Sequence, residues 1–136
     1  MNIIIIDGHG GGLGAQLVAA IAKNFSTATV RAVGTNSTAT VAMIKAGASE
    51  AATGENAVVV ACKTADIIVG PIGIVIADSM LGEVTPTMAV AVGQSRAKRL
   101  LIPINQCDNT IVGIANTPVS KLLQNVVALI KNEIDN

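Results

Sequence analysis

The sequence predicts an α/β fold, a single small three-layer α/β/α domain with a mainly parallel sheet of about five or six strands. Residues 3–6 are four consecutive isoleucines, apolar on both faces, as in a central strand covered by helices on both sides. Five glycines follow within residues 8–14, and an apolar helical pattern then begins with Leu13, Leu17 and Ile21. Strand-like and helix-like segments alternate along the rest of the 136 residues, which favours parallel strands joined by right-handed crossovers.

The remaining elements are indicated by β-branched runs and by residues that start and stop helices. We predict further strands over residues 27–33, 49–53, 65–70, 99–104 and 111–114. The first helix should end near residue 23, and others should cover residues 38–45, 57–64, 85–98 and the chain from residue 117 onward. Asn36 or Ser37 can cap the second helix, and Thr85 with Pro86 should start the helix over residues 85–98. Residues 72–81 are predicted as a loop and then a helix, unless residues 74–76 extend the preceding strand.

Composition narrows the class of protein. Hydrophobic residues make up 51% of the chain, which indicates a globular protein, and nine acidic residues balance nine basic ones. A net charge of zero gives no reason to expect nucleic acid or a membrane surface as a partner. Charged residues are only 13% of the chain, so we expect part of the surface to be buried in a homodimer or larger homo-oligomer.

The cysteines and the first residues of the sequence indicate in which cellular compartment the protein is expected. Cys62 and Cys107 have no motif spacing, and Met1 leads directly into the first strand without room for a signal peptide. The most apolar run, residues 67–77, is too short to span a membrane. We therefore expect a cytoplasmic protein. One histidine and two scattered cysteines predict no metal site.

The glycine loop, residues 8–14, carries the strongest functional signal. A strand, a glycine turn and a helix together present backbone N–H groups and a helix N-terminus to a phosphate. The spacing of Gly8, Gly12 and Gly14 matches the turn of short-chain dehydrogenases, and that of Gly10, Gly12 and Ala15 matches the dinucleotide fingerprint. The Gly-Lys-Ser/Thr ending of a Walker A motif is absent, which argues against ATP hydrolysis. Close packing of strand and helix is the alternative role for these glycines.

Ligands of open α/β sheets bind outside the carboxyl ends of the strands. The loops predicted at that edge are residues 7–14, 34–37, 53–56, 70–73 and 105–108. After the second strand the chain has neutral hydroxyl and amide groups, where NAD-binding folds often place an acid. These groups can bind a ribose or simply form a capped turn. The predicted ligand-binding residues are Gly8, His9, Gly10, Gly11, Gly12, Gly14, Thr35, Asn36, Gly70 and Pro71.

Three other side chains, Asp7, His9 and Cys107, have groups suited to hydrogen bonding or catalysis. Asp7 should accept hydrogen bonds from the amides of the glycine loop and so order it. His9 and Cys107 are the candidates for a catalytic base and a reactive thiol, although each also fits an ordinary loop position. Short-chain dehydrogenase chemistry needs a tyrosine, and the chain has none.

A polar cluster lies near the start of the predicted 85–98 helix. It consists of Asp78, Ser79, Glu83 and Thr85, inside an otherwise apolar stretch. Capping with solvent exposure is the simplest interpretation. A subunit contact and the second half of a binding cleft are the others, and of these two we favour the subunit contact.

Several short motifs cover most of the chain. They are Ile6-Asp-Gly-His-Gly-Gly-Gly-Leu-Gly14, Gly34-Thr-Asn-Ser37, Ala46-Gly-Ala48, Ala52-Thr-Gly-Glu-Asn56, Gly70-Pro-Ile-Gly-Ile74, Ala77-Asp-Ser79, Gly82-Glu83 and Gly93-Gln-Ser-Arg-Ala97. With these motifs the sequence resembles a bacterial family known only as domain of unknown function 3842. The resemblance implies a compact cytoplasmic α/β protein and brings no activity or catalytic residue. The glycine turn by itself also resembles Rossmann dinucleotide-binding folds.

The leading functional hypothesis is a Rossmann-like domain that binds a nucleotide or dinucleotide, with NAD or NADP as the candidate cofactor, at the glycine loop. Thr35 and Asn36 would face the ribose, and the Gly70-Pro71 loop would lie near the reacting end. Two alternatives remain open. One is a non-catalytic sensor or regulatory subunit, and the other is a small enzyme acting on a phosphorylated metabolite with His9 or Cys107 as the reactive group.

Overall fold

Five parallel strands form one sheet in the order β3-β2-β1-β4-β5 in a computed structural model, which describes residues 1–104 and 108–136. The strands are β1 (Asn2–Asp7), β2 (Thr29–Gly34), β3 (Glu50–Thr53), β4 (Ile67–Pro71) and β5 (Lys98–Ile102). The helices are α1 (Gly12–Asn24), α2 (Ser37–Lys45), α3 (Glu55–Thr64), α4 (Pro86–Gln94) and α5 (Val119–Asp135). The predicted α/β class with a parallel sheet is confirmed.

The isoleucine run of β1 supplies both faces of the sheet. Ile3 and Ile5 pack with residues of α1, α2 and α5 in one core. Ile4 and Ile6 pack with residues of α3 and α4 in the other. All four side chains are at most 1% exposed. Burying an isoleucine side chain is worth about 1.5–3 kcal/mol, so this run is a strong apolar contribution to both cores.

The order of the strands creates a switch point beside β1. The chain proceeds outward from β1 through β2 to β3, and then crosses to β4 on the other side of β1. Asp7 at the end of β1 is in register with Gly34 of β2, while Ile5 is in register with Val69 of β4. The loop after β1 leads to α1 on one face of the sheet, and the loop after β4 leads to α4 on the other face. Open α/β folds form a ligand crevice between two such loops.

The helix predicted over residues 85–98 is shorter in the structure. It starts as expected, because the Thr85 hydroxyl accepts the Met88 N–H and Pro86 occupies the first turn. It ends at Gln94, since Ser95 adopts an extended conformation with ψ 144°. The Ser95 hydroxyl donates to the carbonyl of Cys62, which ties the end of α4 to α3. β5 then begins at residue 98, one residue earlier than predicted.

The α-helix predicted within residues 72–81 and the alternative extension of β4 over residues 74–76 are both wrong. Residues Ile72–Val75 form a short 3₁₀ helix, and no α-helix and no extension of β4 follows. Asp78, Met80 and Leu81 have φ values of 65°, 56° and 57°, which a right-handed helix does not allow. The chain instead folds into a compact turn between β4 and α4.

The sixth strand predicted over residues 111–114 is also wrong. These residues form a turn in which the Ile114 N–H donates to the Ile111 carbonyl over 3.3 Å. Gly113 has φ 84°, outside the range of extended chain. Among the described residues, the sheet therefore ends at β5. No helix within the described ranges has both the length and the apolar character needed to cross a membrane.

Gly70 provides a test of strand packing. A Cβ atom at this position in β4 would meet the backbone carbonyl oxygen of Ile6 in β1. We expect Gly70→Ala to lower the free energy of unfolding by about 1–3 kcal/mol, because the clash is with rigid backbone. Gly93→Ala is the control, since a Cβ there meets nothing within 4 Å and alanine favours the helix. Urea unfolding of both variants measures the difference, and equal stabilities would refute the packing argument.

Candidate ligand site at the carboxyl edge of the sheet

The glycine loop is anchored by a buried carboxylate. Asp7 is 6% exposed at the end of β1. Its Oδ1 accepts the N–H of Gly8 at 2.8 Å and its Oδ2 accepts the N–H of Gly14 at 2.7 Å. The predicted ordering role of Asp7 is therefore confirmed. Burial raises the pKa of Asp7, and the two backbone donors offset that effect only in part.

Three glycines of the loop are required by the fold. Gly11 has φ 74°, and a Cβ there would lie 2.7 Å from the Cα of Ala39 in α2. A Cβ on Gly14 would lie 2.6 Å from the sulfur of Met43. A Cβ on Gly8 would lie 2.5 Å from the Thr35 hydroxyl oxygen. Close packing, the alternative role considered for the glycine run, thus explains these three positions.

Close packing does not explain why positions 10 and 12 are glycine. Both are exposed, neither has a positive φ, and a Cβ on either would meet no atom within 4 Å. Their N–H groups, and that of Leu13 in the first turn of α1, have no acceptor within the described residues. These donors lie at the positive end of the α1 dipole. The outer side of the loop therefore offers unpaired backbone donors with open space in front of them.

Glu83 lies against this loop, which sequence reasoning missed. Its Oε1 accepts three hydrogen bonds, from the His9 N–H at 2.9 Å, the Thr35 hydroxyl at 2.7 Å and the Asn36 side-chain amide at 2.7 Å. Its Oε2 lies 3.6 Å from Nε2 of His9. Of the interpretations considered for the polar cluster, this position fits the second half of a cleft. The signal available in the sequence was that cluster of polar residues within an apolar stretch.

Thr35 and Asn36 are held in place by the backbone around them. The Thr35 N–H donates to the Asp7 carbonyl at 3.0 Å. The Asn36 Oδ1 accepts the Ala39 N–H at 2.9 Å and so caps α2, while its amide also donates to the His9 carbonyl at 2.9 Å. Asn36, one of the two predicted caps, is confirmed. The side chain of Asn36 therefore connects the loops that follow β1 and β2.

The three donors determine the charge state of Glu83. Partial burial by itself would raise its pKa, but the hydrogen bonds from His9, Thr35 and Asn36 outweigh it and lower the pKa below the usual value. Glu83 is therefore ionised at neutral pH, with its side chain 28% exposed. Together with Asp7 it places two carboxyl groups at the loop.

Glu83 belongs to a turn that we call the covering segment, residues 77–84. The turn is closed by a hydrogen bond from the Asp78 N–H to the Val84 carbonyl at 2.7 Å. Met80 is 7% exposed, and its sulfur lies 2.8 Å from where a Cβ on Gly8 would be. The Ser79 hydroxyl donates to the Gly73 carbonyl. The covering segment therefore fills the space above the β1–β4 side of the switch point.

The other predicted site residues are not gathered at the glycine loop. Gly70 and Pro71 lie in β4, where the absence of a side chain on Gly70 permits close contact with β1. Cys107 and most of the predicted 105–108 loop lie outside the described residues. His9 has a half-exposed side chain, and its Nε2 lies 3.6 Å from Oε2 of Glu83. No three metal-ligating side chains converge within residues 1–104 and 108–136.

A partly open cavity occurs at the same edge of the sheet but away from the glycine loop. It has a volume of about 420 Å³ and lies between the end of β5 and α5. Its lining includes Pro103, Ile104, Ile111, Ile114, Thr117 and Leu122. The glycine loop itself is an open surface and contributes no residue to this cavity.

Glu83 should make stability depend on pH. Glu83→Ala leaves three donors without their acceptor, so we expect the free energy of unfolding at pH 7 to fall by about 2 kcal/mol. Because the folded protein lowers the pKa of Glu83, its contribution is present above the pKa of the unfolded chain and is lost as the pH falls through the folded value. The difference between wild type and variant should therefore hold from pH 7 to about 5 and shrink below about pH 4.

Urea unfolding across this pH range checks the expectation. Glu133→Ala is the control, because Glu133 is a partly exposed carboxylate 4.0 Å from Lys98. A Glu83→Ala profile that matches the control at every pH would contradict the assigned hydrogen bonds.

Comparison with known proteins identifies a family and shows low similarity to a solved structure. The family model described as "Domain of unknown function (DUF3842)" matches residues 2–135. A dodecameric FMN-dependent UbiX-like decarboxylase from Escherichia coli O157:H7 aligns with a TM-score of 0.42 and 12% sequence identity, over 98% of this chain and 94% of that chain. Comparison with curated protein sequences finds no match.

The family match covers nearly the whole chain, as the resemblance of the short motifs predicted. The chain belongs to the DUF3842 family.

Proposed function

We propose that this protein binds a nucleotide or a related phosphorylated ligand, with a phosphate on the N–H groups of Gly10, Gly12 and Leu13. The observation that carries the proposal is that positions 10 and 12 are glycine although a side chain at either would have open space. The fold needs glycine at neither position, since no side chain or backbone lies within 4 Å of either Cβ position and neither φ is positive. Glycine here costs conformational entropy, and the close approach of a ligand to the backbone accounts for it.

The surroundings of the loop support this choice. Unpaired donors at the start of a helix form an anion site, and the loop lies at the end of the central strand beside the switch point. Gly93 also has an open Cβ position, but it lies at the far end of α4 and is not part of a loop between a strand and a helix. Glu83, Thr35 and Asn36 add polar side chains next to the phosphate donors.

The covering segment bears on the size of the ligand. Met80 and Ser79 fill the β1–β4 side of the switch point, where the second half of a dinucleotide would lie. A mononucleotide leaves this segment in place. NAD or NADP would require the segment to move, so a dinucleotide remains within the proposal as the more demanding ligand.

Two further features of the proposal concern activity and assembly. The His9 imidazole beside the Glu83 carboxylate is a pair able to accept a proton, which supports a small enzyme acting on a phosphorylated metabolite. A sensor or regulatory subunit would use the same site without chemistry. Half-exposed apolar side chains on three helices, such as Val41, Ile44, Val60 and Val90, support a homo-oligomer. The proposed location is the cytoplasm.

Thermal shift measurements test the phosphate site. We expect AMP, GMP, NAD, NADP or FAD to raise the midpoint of unfolding of the wild-type protein. A ligand at a hundred times its dissociation constant adds about 2.7 kcal/mol, which corresponds to several degrees in a domain of this size. Gly12→Val should fold normally and lose the shift, because its branched side chain would occupy the space in front of the donors.

Gly93→Ala is the matched control, because it also fills an open Cβ position and should keep the full shift. If Gly12→Val bound the ligand as tightly as wild type, the phosphate would lie elsewhere. If none of these ligands shifted the wild-type midpoint, the nucleotide proposal would be wrong.

A further inference from the structure

Only one oxygen of the Glu83 carboxylate is engaged. Oε1 accepts three hydrogen bonds at 2.7–2.9 Å. Oε2 has only the His9 Nε2 near it, at 3.6 Å, which is beyond ordinary hydrogen-bond distance. An ionised carboxylate oxygen can accept two hydrogen bonds and donates none. The site therefore holds a fixed acceptor that is not used within the described residues.

The position of this acceptor matters as much as its chemistry. Its donors Thr35 and Asn36 directly follow β2, where dinucleotide-binding folds often place an acid that contacts ribose hydroxyls. This chain has no acid at the end of β2, as the sequence showed. The structure supplies one from the covering segment, 48 residues after Thr35.

We propose that Glu83 makes this site selective for ligands with free ribose hydroxyls, which donate to Oε2, and against ligands with a phosphate at that place. The inference rests on the proposed function, because the phosphate on the glycine loop brings the ribose to Glu83. The ligand class is then a ribonucleotide with an unmodified 2′,3′-diol. A 2′-phosphate would meet the negative charge of Glu83 and be repelled.

Glu83 has a second conceivable role, as an internal competitor that occupies the anion site until a ligand displaces it. The distribution of donors argues against that role. The N–H groups of Gly10, Gly12 and Leu13 have no acceptor within the described residues, so a phosphate has donors of its own and need not displace Glu83. Glu83 is also held by three donors from two loops, which favours a fixed acceptor.

Calorimetric titration can separate these roles. The probes are the four common ribonucleoside 5′-monophosphates, their 2′-deoxy counterparts and adenosine 2′,5′-bisphosphate. We expect wild type to bind at least one ribonucleotide about tenfold or more tightly than its 2′-deoxy form, which corresponds to about 1.4 kcal/mol, and to bind the bisphosphate more weakly than AMP.

Glu83→Gln is the decisive variant. The amide oxygen can keep the three donors, while the amide nitrogen replaces Oε2 with a donor. We expect this variant to lose the preference for the ribo form and the discrimination against the 2′-phosphate. Glu133→Gln removes the same charge at a partly exposed site on α5 and should leave both unchanged. Circular dichroism establishes that each variant is folded, and the wild-type preference is informative even if Glu83→Gln does not fold.

Three results would overturn the inference. Equal binding of ribo and deoxy forms by wild type would show that no ribose hydroxyl reaches Glu83. A preference that survives in Glu83→Gln would show that another group reads the sugar. Uniformly tighter binding of every phosphorylated probe by Glu83→Gln would establish the internal competitor instead.

Failure of the proposed function has a different signature. In that case wild type binds none of the nucleotides, or Gly12→Val binds them unchanged, and the selectivity inference falls with it. Failure of the inference alone leaves nucleotide binding intact and sensitive to Gly12→Val but without discrimination between sugars.

Discussion

A carboxylate buried at the end of the central strand organises the candidate site. Burying Asp7 in this position is unfavourable by itself, and the N–H groups of Gly8 and Gly14 supply the compensating hydrogen bonds. Because these donors come from both ends of the glycine loop, Asp7 determines how the chain passes from β1 into α1. The outward-facing donors of Gly10, Gly12 and Leu13 follow from that path. The internal contacts of the loop and its open side are thus products of one interaction.

Glu83 adds a second level of organisation. Asp7 orders the glycine loop through the N–H groups at its two ends. Glu83 connects the loop, at His9, to the residues that follow β2. The two carboxylates differ in environment, since burial dominates at Asp7 and hydrogen bonding dominates at Glu83. Their pKa values are accordingly shifted in opposite directions. A site with one nearly dry and one partly solvated carboxylate can use the first for structure and the second for recognition.

The sequence was most informative where local patterns determine structure. Four isoleucines, alternating elements and capping residues such as Asn36 and Thr85 were enough to predict the fold class and most of the elements. Prediction from the sequence failed where the backbone departs from local preference, as at Asp78, Met80 and Leu81. Their left-handed φ values could not be predicted from the residue types. The prediction also overextended α4, because the hydrogen bond from Ser95 to Cys62 is a tertiary contact. The sequence placed Glu83 in a polar cluster, but its hydrogen bonds to the glycine loop could not be predicted, since they depend on the path of the covering segment.

The central place of β1 has a consequence for how the chain is made. β1 is synthesised before the other four strands of the sheet, yet its second neighbour, β4, is complete only at residue 71. Until then the strand lacks half of its final hydrogen-bonding partners, and neither of its faces is fully covered. A run of uncharged, β-branched residues in that condition is prone to pair with other chains. During translation there is therefore an interval in which the segment at the centre of the folded sheet is an aggregation hazard.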